Sequence, residues 1–375
     1  MSIQNPAAPW YYISNVMDID SPALAVFPER VQQNILWAIQ MTGTPERLRP
    51  HVKTHKSMEP AKLMMQAGIT KFKCATIAET EMLAQCGAQD VLLAYQALGP
   101  KLARFIALVK KYPGTAFSCL CDNISAAQEQ AKAFMMARLT IPVFIDLNVG
   151  MNRTGIEPGL PAIALAEFIT GAKGIRLEGL HAYDGHLRDN DFETRKQKCD
   201  AAFSLIEEFK TDLAGKGISI NKIIAGGSPT FSIHCYRQSI ECSPGTFVYW
   251  DKGYADLCPE QPFLPAAILI SRIISFPQMG RICLDLGHKS VAAENDISRR
   301  VFFPQAPHFK FVSQSEEHLV VEAGDNHDYR VGDVLYGLPY HICPTVALYE
   351  KVYTVEEGKV SGEWRTIARD RKITI

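Results

Sequence analysis

Arg49-Pro50-His51-Val52-Lys53-Thr54-His55-Lys56-Ser57 sets two histidines and two lysines within six residues. Side chains of an extended strand alternate between its faces. A strand over 51–55 therefore sets His51, Lys53 and His55 on one face, with Lys56 pointing the other way. A lysine on an inward face beside imidazoles is poorly solvated and close to potential positive charge. Both effects lower its pKa and favour the neutral amine that Schiff-base chemistry needs. A solvated basic loop is the alternative reading of the same residues.

Four other segments carry groups that bind or react. Gly226-Gly227-Ser228-Pro229-Thr230 combines two glycines, which let backbone approach an anion, with the hydroxyls of Ser228 and Thr230. Ser243-Pro244-Gly245-Thr246 offers a second set of backbone and hydroxyl donors through Gly245 and Thr246. Either segment also reads as an ordinary turn. Arg153, in MNRTG, suits a phenolate or carboxylate at a site mouth. LEGLHAYDGH contributes Tyr183, whose ring can pack on a flat cofactor, beside His181, Asp184 and His186. On a strand, His341 and Cys343 share one face and form half of a ligand set for zinc or a similar ion, water or substrate completing it.

The elements that must position these groups follow from hydrophobic spacing. Strand-like runs are expected at 23–27, 49–55, 71–76, 90–95, 116–121, 142–148, 176–183 and 221–227. Segments with apolar residues at three- and four-residue spacing lie between them, as helices packed on one face require. Eight strand–helix repeats predict an α/β fold, a (β/α)8 TIM barrel over 20–260. A doubly wound sheet is the rival, without the GxGxxG turn such sheets carry. Lys53, Arg153, Tyr183 and the 226–230 turn all fall at or just past strand ends, where barrel sites form. Beyond about residue 260 short β runs separated by Gly and Pro predict a smaller all-β domain over 261–375, with residues 1–19 packing on it.

The chain's 375 residues suffice for two domains, and a net charge of −1 gives no basic excess for nucleic acid. No run is long enough to span a membrane, and the N-terminus has no secretory pattern. Ten cysteines without a CxxC pair point to buried thiols of a cytoplasmic protein rather than to a disulfide framework. The expected partner is a small molecule.

Taken together, these segments resemble the fold-type III pyridoxal-phosphate enzymes, nearest to the D-serine dehydratase and D-threonine aldolase group, with an alanine racemase-like barrel. The resemblance covers nearly the whole chain. It implies that Lys53 carries pyridoxal 5'-phosphate, that Arg153 faces its phenolic oxygen and that Tyr183 takes the ring-packing position. Gly227, Ser228, Thr230, Gly245 and Thr246 would hold the phosphate. PYHICPT resembles the lyases' metal segment, making His341 and Cys343 ligands of a divalent metal, zinc first, with manganese or magnesium as alternatives. Ser243 stands where racemases place an arginine, and no counterpart of their catalytic tyrosine is found. The implied activity is a metal-dependent lyase for D-β-hydroxy amino acids, dehydratase-like because of His-x-Cys, with retro-aldol cleavage as the alternative. Racemization and a non-catalytic cofactor carrier rank lower. A homodimer is also implied.

Overall fold

The structure, a computed structural model, describes residues 9–375. What was expected of residues 1–8 lies outside the described residues. The chain forms two compact units. One comprises 34–247, 256–263 and 367–375, and the other 9–33, 248–255 and 264–366.

The first unit is a parallel ring. Seven strands pair side by side in chain order: Lys71–Cys74, Asp90–Gln96, Ala116–Cys121, Ile141–Leu147, Ile175–Ala182, Ile223–Ala225 and Glu241–Cys242. The eighth position belongs to residues 48–51, which bridge Cys242 through Leu48 and Lys73 through His51, both parallel. Arg49 N donates to Cys242 O at 2.9 Å and Lys73 N to Pro50 O at 2.8 Å, closing the ring between its first and last strands. The ladder is short because Pro50 has no N–H to give.

Three expectations change here. The run 23–27 is not a barrel strand. Ala23–Val26 pairs antiparallel with Ala267–Gln278 and parallel with Lys351–Glu356 in the other unit. All four residues are buried, and a wholly apolar run reads alike in a barrel and in a central sheet strand. The last barrel strand, Glu241–Cys242, is too short to show periodicity. Extended structure also ends at His51: residues 52–55 turn, and Lys56 N donates to Val52 O at 3.0 Å. Lys56 has φ of +53° and pairs with buried Glu79. His55 thus does not share a face with His51 and Lys53. It is fully buried, its Nδ1 lies 3.2 Å from Ser57 N, and burial pushes its pKa down to about 3.

Charges order the amino-terminal end of the ring. Arg49, fully buried, donates through Nη1 and Nη2 to both carboxylate oxygens of Asp90 at 2.7 and 2.8 Å, and through Nε to Glu241 at 2.6 Å. Lys71 Nζ reaches the other Glu241 oxygen at 2.5 Å. Breaking such a buried set strands the remaining charges. Arg49→Met is expected to destabilise the fold by about 3–5 kcal/mol, read from denaturant midpoints. A loss below about 1 kcal/mol, the scale of an exposed pair, would contradict this. Above these charges Leu92, Leu120, Phe144 and Ile224 fill the interior. The period of two then carries Ala94 and Asp146 one step further up the same faces.

In the second unit, Ala267–Gln278 is the central strand, pairing with Ala23–Val26, Arg281–Leu284 and Val334–Pro339 along different parts of its length. Lys310–Gln314 and Leu319–Glu322 form a hairpin beside Arg281–Leu284. Ile13, Ile19, Ala25, Ile268, Ile270 and Val355 pack into one apolar cluster. Mostly antiparallel pairing accounts for the alternating β runs seen in this part of the sequence.

Candidate active site

A cavity of about 400 Å³ opens at the carboxyl ends of the ring strands. Ala94 and Leu120 border both it and the apolar fill below. Its wall holds His51, Lys53, Lys73, Gln96, Asp146, Arg153, His181 and Tyr183.

The Tyr183 ring is the centre of this arrangement. Lys53 Nζ and Lys73 Nζ each lie 5.8 Å from its centroid, and Arg153 Cζ lies at 5.2 Å. Two glycines give the ring its place. A Cβ on Gly185 would meet the Tyr183 hydroxyl at 2.0 Å, and one on Gly227 would meet Tyr183 Cε2 at 2.8 Å. The 226–230 turn therefore lies directly against the tyrosine. The second turn joins the first through Ser228, whose Oγ accepts from Thr246 N at 3.1 Å and Gly245 N at 3.4 Å. A Cβ on Gly245 would press on the His51 carbonyl at 2.9 Å, tying this turn to the lysine segment.

The expected residues Lys53, Arg153, Tyr183, Gly227, Ser228, Thr230, Gly245 and Thr246 are thus gathered within one unit. Among the described residues, Lys53 Nζ and the Arg153 guanidinium make no ion pair, which leaves the cavity with excess positive charge. The buried amide nitrogen of Gln96 has no hydrogen-bond partner among the described residues. An anionic, hydrogen-bonding ligand answers both features, and pyridoxal phosphate is of that kind.

Lys73, Asp146 and Gln96 belong to the same wall but lie outside the candidates that the sequence singles out. Asp146 does carry a signal, as the one charge in the apolar run PVFIDLN. Its carboxylate accepts from His181 Nδ1 at 2.7 Å, and His181 Nε2 faces Lys73 Nζ at 3.4 Å. Burial lowers the pKa of His51 and His181, with the neighbouring lysines adding to it, so both imidazoles stay neutral. Burial and the Lys53 charge lower Lys73 to about 7.

Asp184, Cys199 and His234 place their ligand atoms within 4.8 Å of one another, which admits a metal on distance alone. The set is internally bonded, however. His234 Nε2 donates to Asp184 at 2.8 Å, Thr230 Oγ1 donates to it at 2.7 Å, and Arg237 donates to His234 Nδ1 at 2.7 Å. A guanidinium against the imidazole is a poor neighbour for a cation, and the set instead fixes Thr230 beneath its turn.

In the other unit, the expected strand through His341 and Cys343 is a short helix, Ile342–Val346, with His341 at its N-cap. Pro344 has no N–H for a ladder and is well placed in a first helical turn. The two side chains still meet, and Asp251 and Glu294, neither anticipated, join them. Burial alone would lower the His341 pKa. The Cys343 hydrogen bond and charge, with Asp251 and Glu294, outweigh it and raise the value to about 9. Surroundings that favour positive charge on an imidazole also suit a divalent cation. Asp251 further braces the segment by accepting from Ile342 N at 3.0 Å.

Two family models match the chain: the alanine racemase N-terminal domain over residues 27–252, and the putative serine dehydratase domain over 266–355. The chain belongs to the alanine racemase N-terminal domain family. Within that family it is 26% identical to D-threonine aldolase of an Arthrobacter species, over 94% of this chain and 93% of that one. It is 23% identical to D-threo-3-hydroxyaspartate dehydratase of Delftia sp. (strain HT23), over 89% and 93% respectively. D-threonine aldolase from Filomicrobium marinum superposes with TM-score 0.88 at 25% identity, covering 97% of this chain and 99% of that one. A metal-free cysteine-to-alanine variant of D-threo-3-hydroxyaspartate dehydratase gives 0.82 at 21% identity, over 94% and 98%. These relatives are aldolases and dehydratases, so the expected enzyme class, a pyridoxal-phosphate lyase, is the one the comparisons give. The racemase-like barrel with a mostly β second part is the fold they share.

Proposed function

We propose that this racemase-family chain is a pyridoxal-phosphate- and metal-dependent lyase for D-β-hydroxy amino acids, eliminating water to yield a 2-oxo acid and ammonia. The observation that carries the reading is the Lys53 amine and Arg153 guanidinium, neither in an ion pair among the described residues, set around the Tyr183 ring with the Gly227 turn against that ring. Lys53 would hold the cofactor's aldehyde, Arg153 its phenolic oxygen and Tyr183 its ring. Gly227, Ser228, Thr230, Gly245 and Thr246 would hold its phosphate. When bound, the cofactor supplies an electron sink for charge left on the α-carbon.

In this reading Lys53 Nζ takes the α-proton of the bound D-amino acid. Neutral His51 and His181 leave that amine free of competing cationic imidazoles. His341 and Cys343 would hold the metal, whose chemistry is Lewis acidity toward the β-hydroxyl. The His-x-Cys pair supports elimination, since that pattern resembles the dehydratases more than the aldolases. The aldolase relatives support a second outcome at the same groups, cleavage to glycine and an aldehyde. We also infer a homodimer from the family resemblance, and a cytoplasmic location from ten cysteines without a CxxC pair.

Products decide the matter. D-serine, D-threonine and D-3-hydroxyaspartate are expected to give the corresponding 2-oxo acid and ammonia in equal amounts. Equimolar glycine and aldehyde would establish the aldolase outcome, and no turnover of any of the three would overturn the lyase reading.

A further inference from the structure

Lys73 stands two residues beyond Lys71 on one face of Lys71–Cys74, and the two lysines are treated differently. Lys71 pairs directly with Glu241, as does Arg49 nearby, which is how a structural cation is normally neutralised. Lys73 is 3% exposed and, among the described residues, has no direct carboxylate partner. Its Nζ instead faces His181 Nε2 at 3.4 Å, and His181 Nδ1 donates to Asp146 at 2.7 Å. With Nδ1 protonated, Nε2 is the acceptor and an N–H of Lys73 donates to it. The imidazole orients the amine without holding it permanently charged, and the amine lines the cavity alongside Lys53.

We propose that Lys73 is a second acid–base residue of this site, the proton donor to the departing β-oxygen, with His181 and Asp146 as its positioning residues. The inference rests on the elimination reading above. An Nζ–H bond breaks and an O–H bond forms. The Cβ–O electron pair leaves with the oxygen as water, and solvent reprotonates the amine. Lys73 suits the task because its pKa is lowered to about 7, close to the ideal for proton transfer at neutral pH. Burial, Lys53 and Arg49 lower it, Asp146 and Asp184 raise it, and His51 and His181 beside it are held neutral.

A leaving group that needs no proton separates this role from a packing role. In Lys73→Met, elimination of water from D-serine is expected to fall by about 10²–10⁴-fold. Elimination of chloride from D-β-chloroalanine should stay within about fivefold, well short of a proton-transfer effect. Lys73→Arg, which keeps the charge and cannot release a proton, should show the same split. Competitive acetylation of the purified protein, mapped by mass spectrometry, reads the amine without turnover. Lys73 should reach half its limiting reactivity near pH 7, and at a lower pH in Asp146→Asn.

Equal loss on both substrates, no loss on D-serine, or a labelling midpoint above pH 9 would overturn the proposal while leaving the lyase reading intact. A wild-type protein that forms no 2-oxo acid from D-serine or D-3-hydroxyaspartate overturns the role and the elimination reading together.

Discussion

Lys53→Ala should lower turnover of D-β-hydroxy amino acids by more than about 10⁴-fold, beyond the 10²–10⁴ that loss of a proton-transfer group alone costs. Two roles fail together, because the same amine would hold the cofactor and move the α-proton. The long-wavelength absorption of the lysine-bound cofactor should vanish as well. The fold should survive, since Lys53 Nζ makes no ion pair among the described residues and lines a cavity rather than a packed core. Lys56→Ala is the informative control. That amine is committed to Glu79 and its backbone has positive φ, so its loss should affect stability more than cofactor binding. A Lys53→Ala protein that keeps the band would move the attachment to another lysine.

The second large effect concerns the metal. Cys343→Ala and His341→Ala should each reduce bound divalent metal below about a tenth of an equivalent, two protein ligands being too few to lose one. D-serine turnover should drop at least about 10²-fold, the scale of several kcal/mol of Lewis-acid stabilisation. Cofactor absorbance should be unchanged, because the cofactor-binding residues lie in the other compact unit. Chelation should reproduce the loss, and added zinc should reverse it in the wild type only. Full metal occupancy in both variants would remove His341 and Cys343 from the ligand set.

Much of this protein is legible in its residues because barrel strands and amphipathic helices differ in period. Six of the seven paired strands of the ring and the antiparallel strands after residue 260 follow that difference. Where period is uninformative, the reading fails for identifiable reasons. Ala23–Val26 is apolar on both faces, so nothing in it distinguishes a barrel from a central sheet strand. Glu241–Cys242 has too few residues to alternate. At 52–55 the chain turns, and the face shared by His51, Lys53 and His55 dissolves with the strand.

The site shows the same contrast. Lys53, Arg153 and Tyr183 stand out because their segments carry concentrated polar chemistry, and the cavity gathers them. Lys73 and Gln96 do not, because each sits alone in an ordinary strand and gains meaning only from neighbours brought in by closure of the ring. Glu294 and Asp251 meet His341 from distant points of the sequence, and no local pattern marks them.

Borohydride reduction of the cofactor-loaded protein, followed by peptide mapping, tests the central claim most directly. The account predicts one pyridoxyl-modified peptide per chain, with the label on Lys53. Label on Lys56 or Lys73, or none on a protein that turns over D-serine, would contradict it.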